Sequence, residues 1–126
     1  MKRIEQTYTI KAPLARVWRA LTDPKMIEAW SGAAAIMSDA EGGTFSLWDG
    51  DIHGTNTKVV THKLLEQEWY GGEWDKPSKV VFSLSGEGDR TMVGLVHTHV
   101  PEHEAKDLEQ GWRDYYMGAI KNLCED

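Results

Sequence analysis

A chain of 126 residues, 40% of them hydrophobic, is long enough to bury a working core without metals or disulfides, and we read residues 1–126 as one domain. The formal net charge is −6 and the 14 Lys and Arg are scattered from Lys2 to Lys121, which excludes a surface built to follow phosphates and with it a nucleic-acid partner. A lone cysteine, Cys124, excludes a disulfide-stapled scaffold.

The first ten residues are too polar for a secretory signal, and no later stretch has the apolar length of a membrane span, so a cytoplasmic protein is expected. Ile4, Gln6, Tyr8 and Ile10 alternate with polar neighbours in the period of a strand that turns one face to a core. Residues 12–30 then change period. Leu14, Val17, Trp18 and Leu21 follow Pro13 at the spacing of one buried helical face, Thr22-Asp23-Pro24 interrupts it, and Met26, Ile27 and Trp30 form a second short apolar face that ends at Ser31-Gly32. Helices this short are marginal alone, since isolated helices under roughly 12–15 residues rarely persist in water, so both must lie on a sheet or a larger helix.

A glycine-punctuated region follows, with strands expected over residues 34–37, 44–48, 53–62, 64–70, 79–85 and 91–100, five or six in antiparallel succession. In the last of these, strict alternation puts Thr91, Val93, Leu95, His97 and His99 on one face. Pro101 ends it. From about Glu104 the helical period returns through Leu108, Trp112, Tyr116, Ala119 and Leu123, widened by Tyr115 and Ile120, and predicts one long C-terminal helix. Gly111 and Gly118 oppose local propensity there; seven residues apart, they share a face and imply either a tightly packed neighbour or room for an occupant.

The predicted class is therefore α+β, with two short helices after the first strand and a curved antiparallel sheet of six or seven strands around a long final helix. This order resembles the helix-grip fold of the steroidogenic-acute-regulatory-related lipid-transfer and birch-pollen-allergen superfamily. Ala12-Pro13 with Val17 to Pro24, Trp30, Gly42-Gly43-Thr44-Phe45 with Gly50 and Gly54, Leu64-Leu65 leading to Trp69, Thr91 to His97, and Gly111-Trp112 with Tyr115 or Tyr116 resemble, more narrowly, one family. It is the C-terminal-type domain family of the activator of the ninety-kilodalton heat-shock chaperone ATPase. The resemblance implies an association with stress response and a chaperone protein as partner.

Chemistry is sparse. Zinc needs three or four converging ligands, and the chain has neither a Cys-x-x-Cys pair nor a His-Glu-x-x-His helix, so no metal is assigned; His97 and His99 form the tightest histidine pair. No nucleophile elbow and no phosphate-cradling glycine loop is present, and no cofactor or catalytic residue is assigned. The aromatic set is richer. With 6 tryptophans, the chain can line an apolar chamber between sheet and final helix, and Trp30, Phe45, Trp69, His97, Trp112 and Tyr116 are the candidate ligand-binding residues; a dense aromatic core without a chamber is the competing reading. Trp74 fits neither periodicity and, as a loop aromatic, is placed at a pocket mouth or a protein contact.

The leading functional reading is a non-enzymatic module for a small hydrophobic ligand. The second is a cochaperone-like regulator, as the family resemblance implies, and the third is a cyclase or hydrolase that uses a cavity histidine or carboxylate. Sheet edges invite self-association while the acidic balance suits a monomer, so oligomeric state stays open.

Overall fold

In a computed structural model, which describes residues 2–72 and 74–126, the chain forms a seven-stranded antiparallel sheet of order β1-β7-β6-β5-β4-β3-β2. The strands are β1 (Lys2–Ile10), β2 (Ile36–Met37), β3 (Thr44–Leu47), β4 (Ile52–Val60), β5 (Leu64–Gly71), β6 (Ser78–Glu87) and β7 (Arg90–Val100). Strands β2 to β7 are a simple meander, and β1 closes the far side by pairing with β7. This is the helix-grip arrangement.

Helices α1 (Leu14–Thr22) and α2 (Pro24–Ser31) follow β1 and are separated as the sequence requires. Asp23 ends α1 in an extended conformation and its carboxylate accepts from the Lys25 N–H at 2.9 Å, so one residue both stops a helix and caps the next, with Pro24 at the first turn. Gly32 closes α2 at φ 76°, a left-handed position suited to glycine. The indole N–H of Trp30 donates to the Ala20 carbonyl at 2.8 Å and ties the two helices together.

The C-terminal helix is divided. A 3-10 turn at Glu102–Glu104 leads into α3 (Ala105–Gly111), a π-helical stretch at Trp112–Tyr116, and α4 (Met117–Glu125). In the π stretch the Met117 N–H reaches back five residues to the Trp112 carbonyl. The widened turn advances the buried face by one position: Trp112, Tyr116, Met117, Ile120 and Cys124 are buried, whereas Tyr115, expected in the apolar stripe, is 71% exposed. Gly118 makes this geometry possible, because a Cβ there would lie 2.2 Å from the Arg113 carbonyl oxygen. At the far end, Arg16 of α1 donates to the carbonyls of Leu123 and Cys124 at 3.0 and 3.1 Å, and so satisfies acceptors that the end of α4 leaves open.

Two strand details depart from simple alternation. Thr91, Val93, Leu95 and His97 are buried on one face, but a register shift in the β1–β7 pairing and a left-handed backbone at His99 (φ 62°) turn His99 outward and bring Val100 in. His97 and His99 therefore do not form a pair. On β4 and β5, Asn56 and Gln67 are fully buried: Gln67 donates to the Asn56 side-chain oxygen at 3.0 Å, and Asn56 donates to the Ser38 carbonyl at 2.6 Å. This polar chain fastens the turn before β3 to the middle of the sheet.

Candidate functional site

The sheet's inner face and the π-helical stretch meet through aromatic rings. Trp112 packs against Trp69 with ring centres 5.6 Å apart and edge-on to Phe82 at 5.8 Å, and Tyr116 contacts Trp30 at 4.7 Å and Trp48 at 6.0 Å. These rings pack on one another and form the floor of a solvent-open cleft. It is a cavity of about 430 Å³ whose walls include Trp30, Trp48, Trp69, Trp112 and Tyr116, within the usual size of small-molecule sites. Gly111 and Ala119 open its helix side, and nothing lies within 4 Å of where a Cβ on Gly111 would project. The groove continues past Ile52 and Leu108 toward Gly71, Trp74 and Glu104.

Four expected residues, Trp30, Trp69, Trp112 and Tyr116, are brought together on this cavity. Phe45 and His97 are not on its wall. Phe45 is buried against Gly54 in the β3–β4 pair, where the glycine leaves the ring edge 3.1 Å from the ideal Cβ position. His97 lies behind the wall, with ring contacts to Trp69 at 4.7 Å and Trp112 at 5.6 Å.

His97 is fixed by its partners. The indole N–H of Trp112 can only donate, so the His97 Nδ1 it meets at 3.0 Å must accept, which leaves the proton on Nε2. Nε2 then donates to the Ser78 hydroxyl at 2.7 Å, and that hydroxyl donates to the Trp69 carbonyl at 2.7 Å. A continuous relay of donors thus links the two tryptophans that pack on each other in the cavity wall. Burial holds the imidazole pKa down to about 3, so the ring is neutral at physiological pH with both nitrogens occupied. Its arrangement positions Trp112 and offers no free lone pair for acid–base work. Burial also pushes the Tyr116 hydroxyl well above its ordinary pKa.

Trp48 escaped sequence reasoning, which placed it at the end of a strand. The chain instead turns at Trp48 and Asp49 with φ of 49° and 56°, followed by Gly50 at 92°. Two consecutive non-glycine residues in the left-handed region are unfavourable, and such strain persists where surrounding structure enforces it. Here the enforcing contacts are the Trp48 indole N–H to the Ser31 carbonyl at 3.2 Å and edge-on packing on Trp30 at 5.8 Å. The Trp48-Asp49-Gly50 triplet was the available signal. Trp74 stands at the other end of the groove, packed on Trp69 at 5.8 Å, with its indole N–H donating to Glu104 at 2.5 Å.

Trp69 carries one unresolved polar group. Its side chain is 1% exposed, it lines the cavity, and its indole N–H has no hydrogen-bond partner among the described residues. Among those residues, too, no helix is long and apolar enough to cross a membrane.

Comparison with known proteins agrees with the fold. The structure superimposes on an HSP90 activator from Plasmodium falciparum with a TM-score of 0.88 at 22% identity, covering 98% of this chain and 96% of that one. CalU16 from Micromonospora echinospora is 30% identical with a TM-score of 0.78, covering 96% of this chain and 71% of its own. The human Activator of 90 kDa heat shock protein ATPase homolog 1 is 27% identical over 110 residues, which are 83% of this chain and 32% of the human protein. The chain thus spans about a third of the length of the curated relatives it matches. Residues 11–125 match the family model described as Activator of Hsp90 ATPase homolog 1-like protein, and the chain belongs to that family.

Proposed function

We propose that residues 1–126 act as one non-enzymatic helix-grip unit that binds a small, flat, hydrophobic molecule between the sheet and the C-terminal helix, with Trp30, Trp69, Trp112 and Tyr116 as ligand contacts and Trp48 added to them. The observation that carries this reading is the cleft of about 430 Å³ floored by aromatic rings, a concave apolar surface of the size that small-molecule sites have. Phe45 and His97 serve as support beneath the wall. The cyclase or hydrolase reading gains nothing from His97, whose two nitrogens are engaged.

Native mass spectrometry of protein purified without lipid stripping, followed by tryptophan-fluorescence titration with flat aromatics, sterols and fatty acids, tests this. A retained guest or a saturable response is expected for at least one class; no response from any class removes the reading.

A second reading, regulation of a chaperone, is favoured by family membership and by relatives named as activators of a 90 kDa heat shock protein ATPase. The chain corresponds to about a third of those relatives, so the activity of the whole protein is proposed for it and not carried over. Addition of the chain to a purified chaperone of that class should raise ATP turnover. Unchanged turnover and no binding would exclude it.

A further inference from the structure

We infer that the guest of this cavity is an aromatic cation, a flat ring system that bears a protonated amine, with the ring laid on the indole wall and the amine at a rim formed by Asp51 and Asp114. The inference rests on the ligand-binding reading above and adds the charge of the ligand to it.

Every ionised group on the cavity wall is acidic. Asp51 and Asp114 line it, and no lysine or arginine does so among the described residues, either in the cavity or in the groove that continues from it. Both carboxylates are exposed at the mouth, and neither is in an ion pair among the described residues. Arg113, the neighbour of Asp114, is not on the wall. Among the described residues the other carboxylate in the groove, Glu104, is occupied by the Trp74 indole and lies 3.5 Å from His103, which also lines the groove.

These charges are not an isolated acidic cluster. They rim a cleft with four indoles in its wall. The negative faces of indole rings attract cations, most strongly where water is displaced. Asp51 is shared by the cavity and the adjoining groove, just beyond the strained Trp48-Asp49 corner, so the turn that swings Trp48 into the wall also places a carboxylate beside it. An anionic amphiphile such as a fatty acid would meet these two carboxylates with no described lysine or arginine on the wall to offset them. A cationic ring meets attraction at both levels, from the rim and from the indole faces.

Three probes of one shape separate the possibilities: 2-naphthylmethylamine, 2-naphthalenemethanol and 2-naphthoate, titrated calorimetrically into the intact protein at low salt and at about 0.5 M salt. The amine should bind tighter than the alcohol on the order of tenfold, as expected for two exposed ion pairs together, and the naphthoate more weakly than the alcohol. The amine's advantage should shrink at the higher salt, where the screening length falls to a few ångströms. In an Asp51→Asn, Asp114→Asn double variant the amine should fall to the affinity of the alcohol while the alcohol itself is unchanged; both sites are exposed, so the fold is not at risk. If the alcohol binds and all three probes bind alike, or the naphthoate binds best, the charge assignment is overturned while the cavity reading survives. If none binds, the charge assignment falls, and the cavity reading stands or falls on the wider ligand panel above.

Discussion

Trp112 donates its indole N–H to Nδ1 of His97 at 3.0 Å, and this one contact decides which protonation state a buried ring may hold. Protonation at Nδ1 would set two donors against each other in the core. Burial acts in the same direction and holds the pKa at about 3, against an ordinary value of 6.5. The histidine that looked most like a chemical group is thus a post that holds a cavity wall in place.

Stability should therefore depend on pH through His97. Between the folded value of about 3 and the unfolded value of 6.5 the unfolded chain binds the extra proton, so this contribution is complete above pH 6.5 and is lost as pH falls toward 3. Urea denaturation at pH 7 and pH 5 should show the parent losing roughly 2 kcal/mol more than a His97→Gln variant over that interval, at about 1.4 kcal/mol per unit of pKa difference. At pH 7 the variant itself should be less stable by about 2–3 kcal/mol, because Trp112 and Ser78 lose part of their partnership. Equal pH slopes for the two proteins would contradict the buried neutral ring.

The two helix glycines should respond in opposite directions. Gly118→Ala forces a Cβ to within 2.2 Å of the Arg113 carbonyl oxygen, so the π turn must rearrange, at an expected cost of about 2 kcal/mol or more. Gly111 has ordinary helical angles and open space beyond it, so Gly111→Ala should stabilise by up to about 1 kcal/mol. Gly111→Leu should keep the fold and reduce guest affinity by intruding on the cavity. Thermal melts of the three variants check the order; a stabilising Gly118→Ala would refute the role given to the π turn.

Arg16 should matter more than a half-exposed arginine usually does. Its guanidinium satisfies the carbonyls of Leu123 and Cys124 at the end of α4, so Arg16→Met, which keeps the apolar stem, should cost about 1–2 kcal/mol. Hydrogen exchange should locate the loss in the last turn of α4, with β3 and β4 unaffected. A uniform loss across the sheet would mean that Arg16 acts by another route.

Period alone made most of this fold legible. The alternation of β1, the breaker at Asp23-Pro24 and the apolar stripe at Trp112 and Tyr116 all reflect burial, which local sequence records directly. What escaped it arises where backbone geometry departs from regular repeats. The π turn moves Tyr115 out and Met117 in, the bulge turns His99 away from His97, and the left-handed corner converts Trp48 from a strand residue into a cavity wall. Each depends on a contact distant in sequence, and no window of neighbouring residues contains it. The same limit hid the Asn56–Gln67 chain, since both residues read as ordinary polar strand positions until strand pairing buries them.

Gly54 and Gly94 look alike in sequence, each a lone glycine within a strand, yet their surroundings predict different costs. Gly54 stands opposite Trp69 in the β4–β5 register, and a Cβ there would come within 1.8 Å of the Glu68 carbonyl oxygen and 3.1 Å of the Phe45 ring. Neither neighbour can yield without separating β4 from β5, so Gly54→Ala should destabilise by about 3 kcal/mol or more and displace Trp69 from the cavity wall. At Gly94 the nearest atoms belong to Ser83 at 3.9 Å, an ordinary contact, so Gly94→Ala should fall within about 0.5 kcal/mol of the parent or above it. Denaturation midpoints of the two variants, read with a probe titration of whatever folds, decide the matter. Equal tolerance of alanine at both positions would mean that β4 and β5 have slack at Gly54, and the aromatic wall built on their close approach would lose its rigid support.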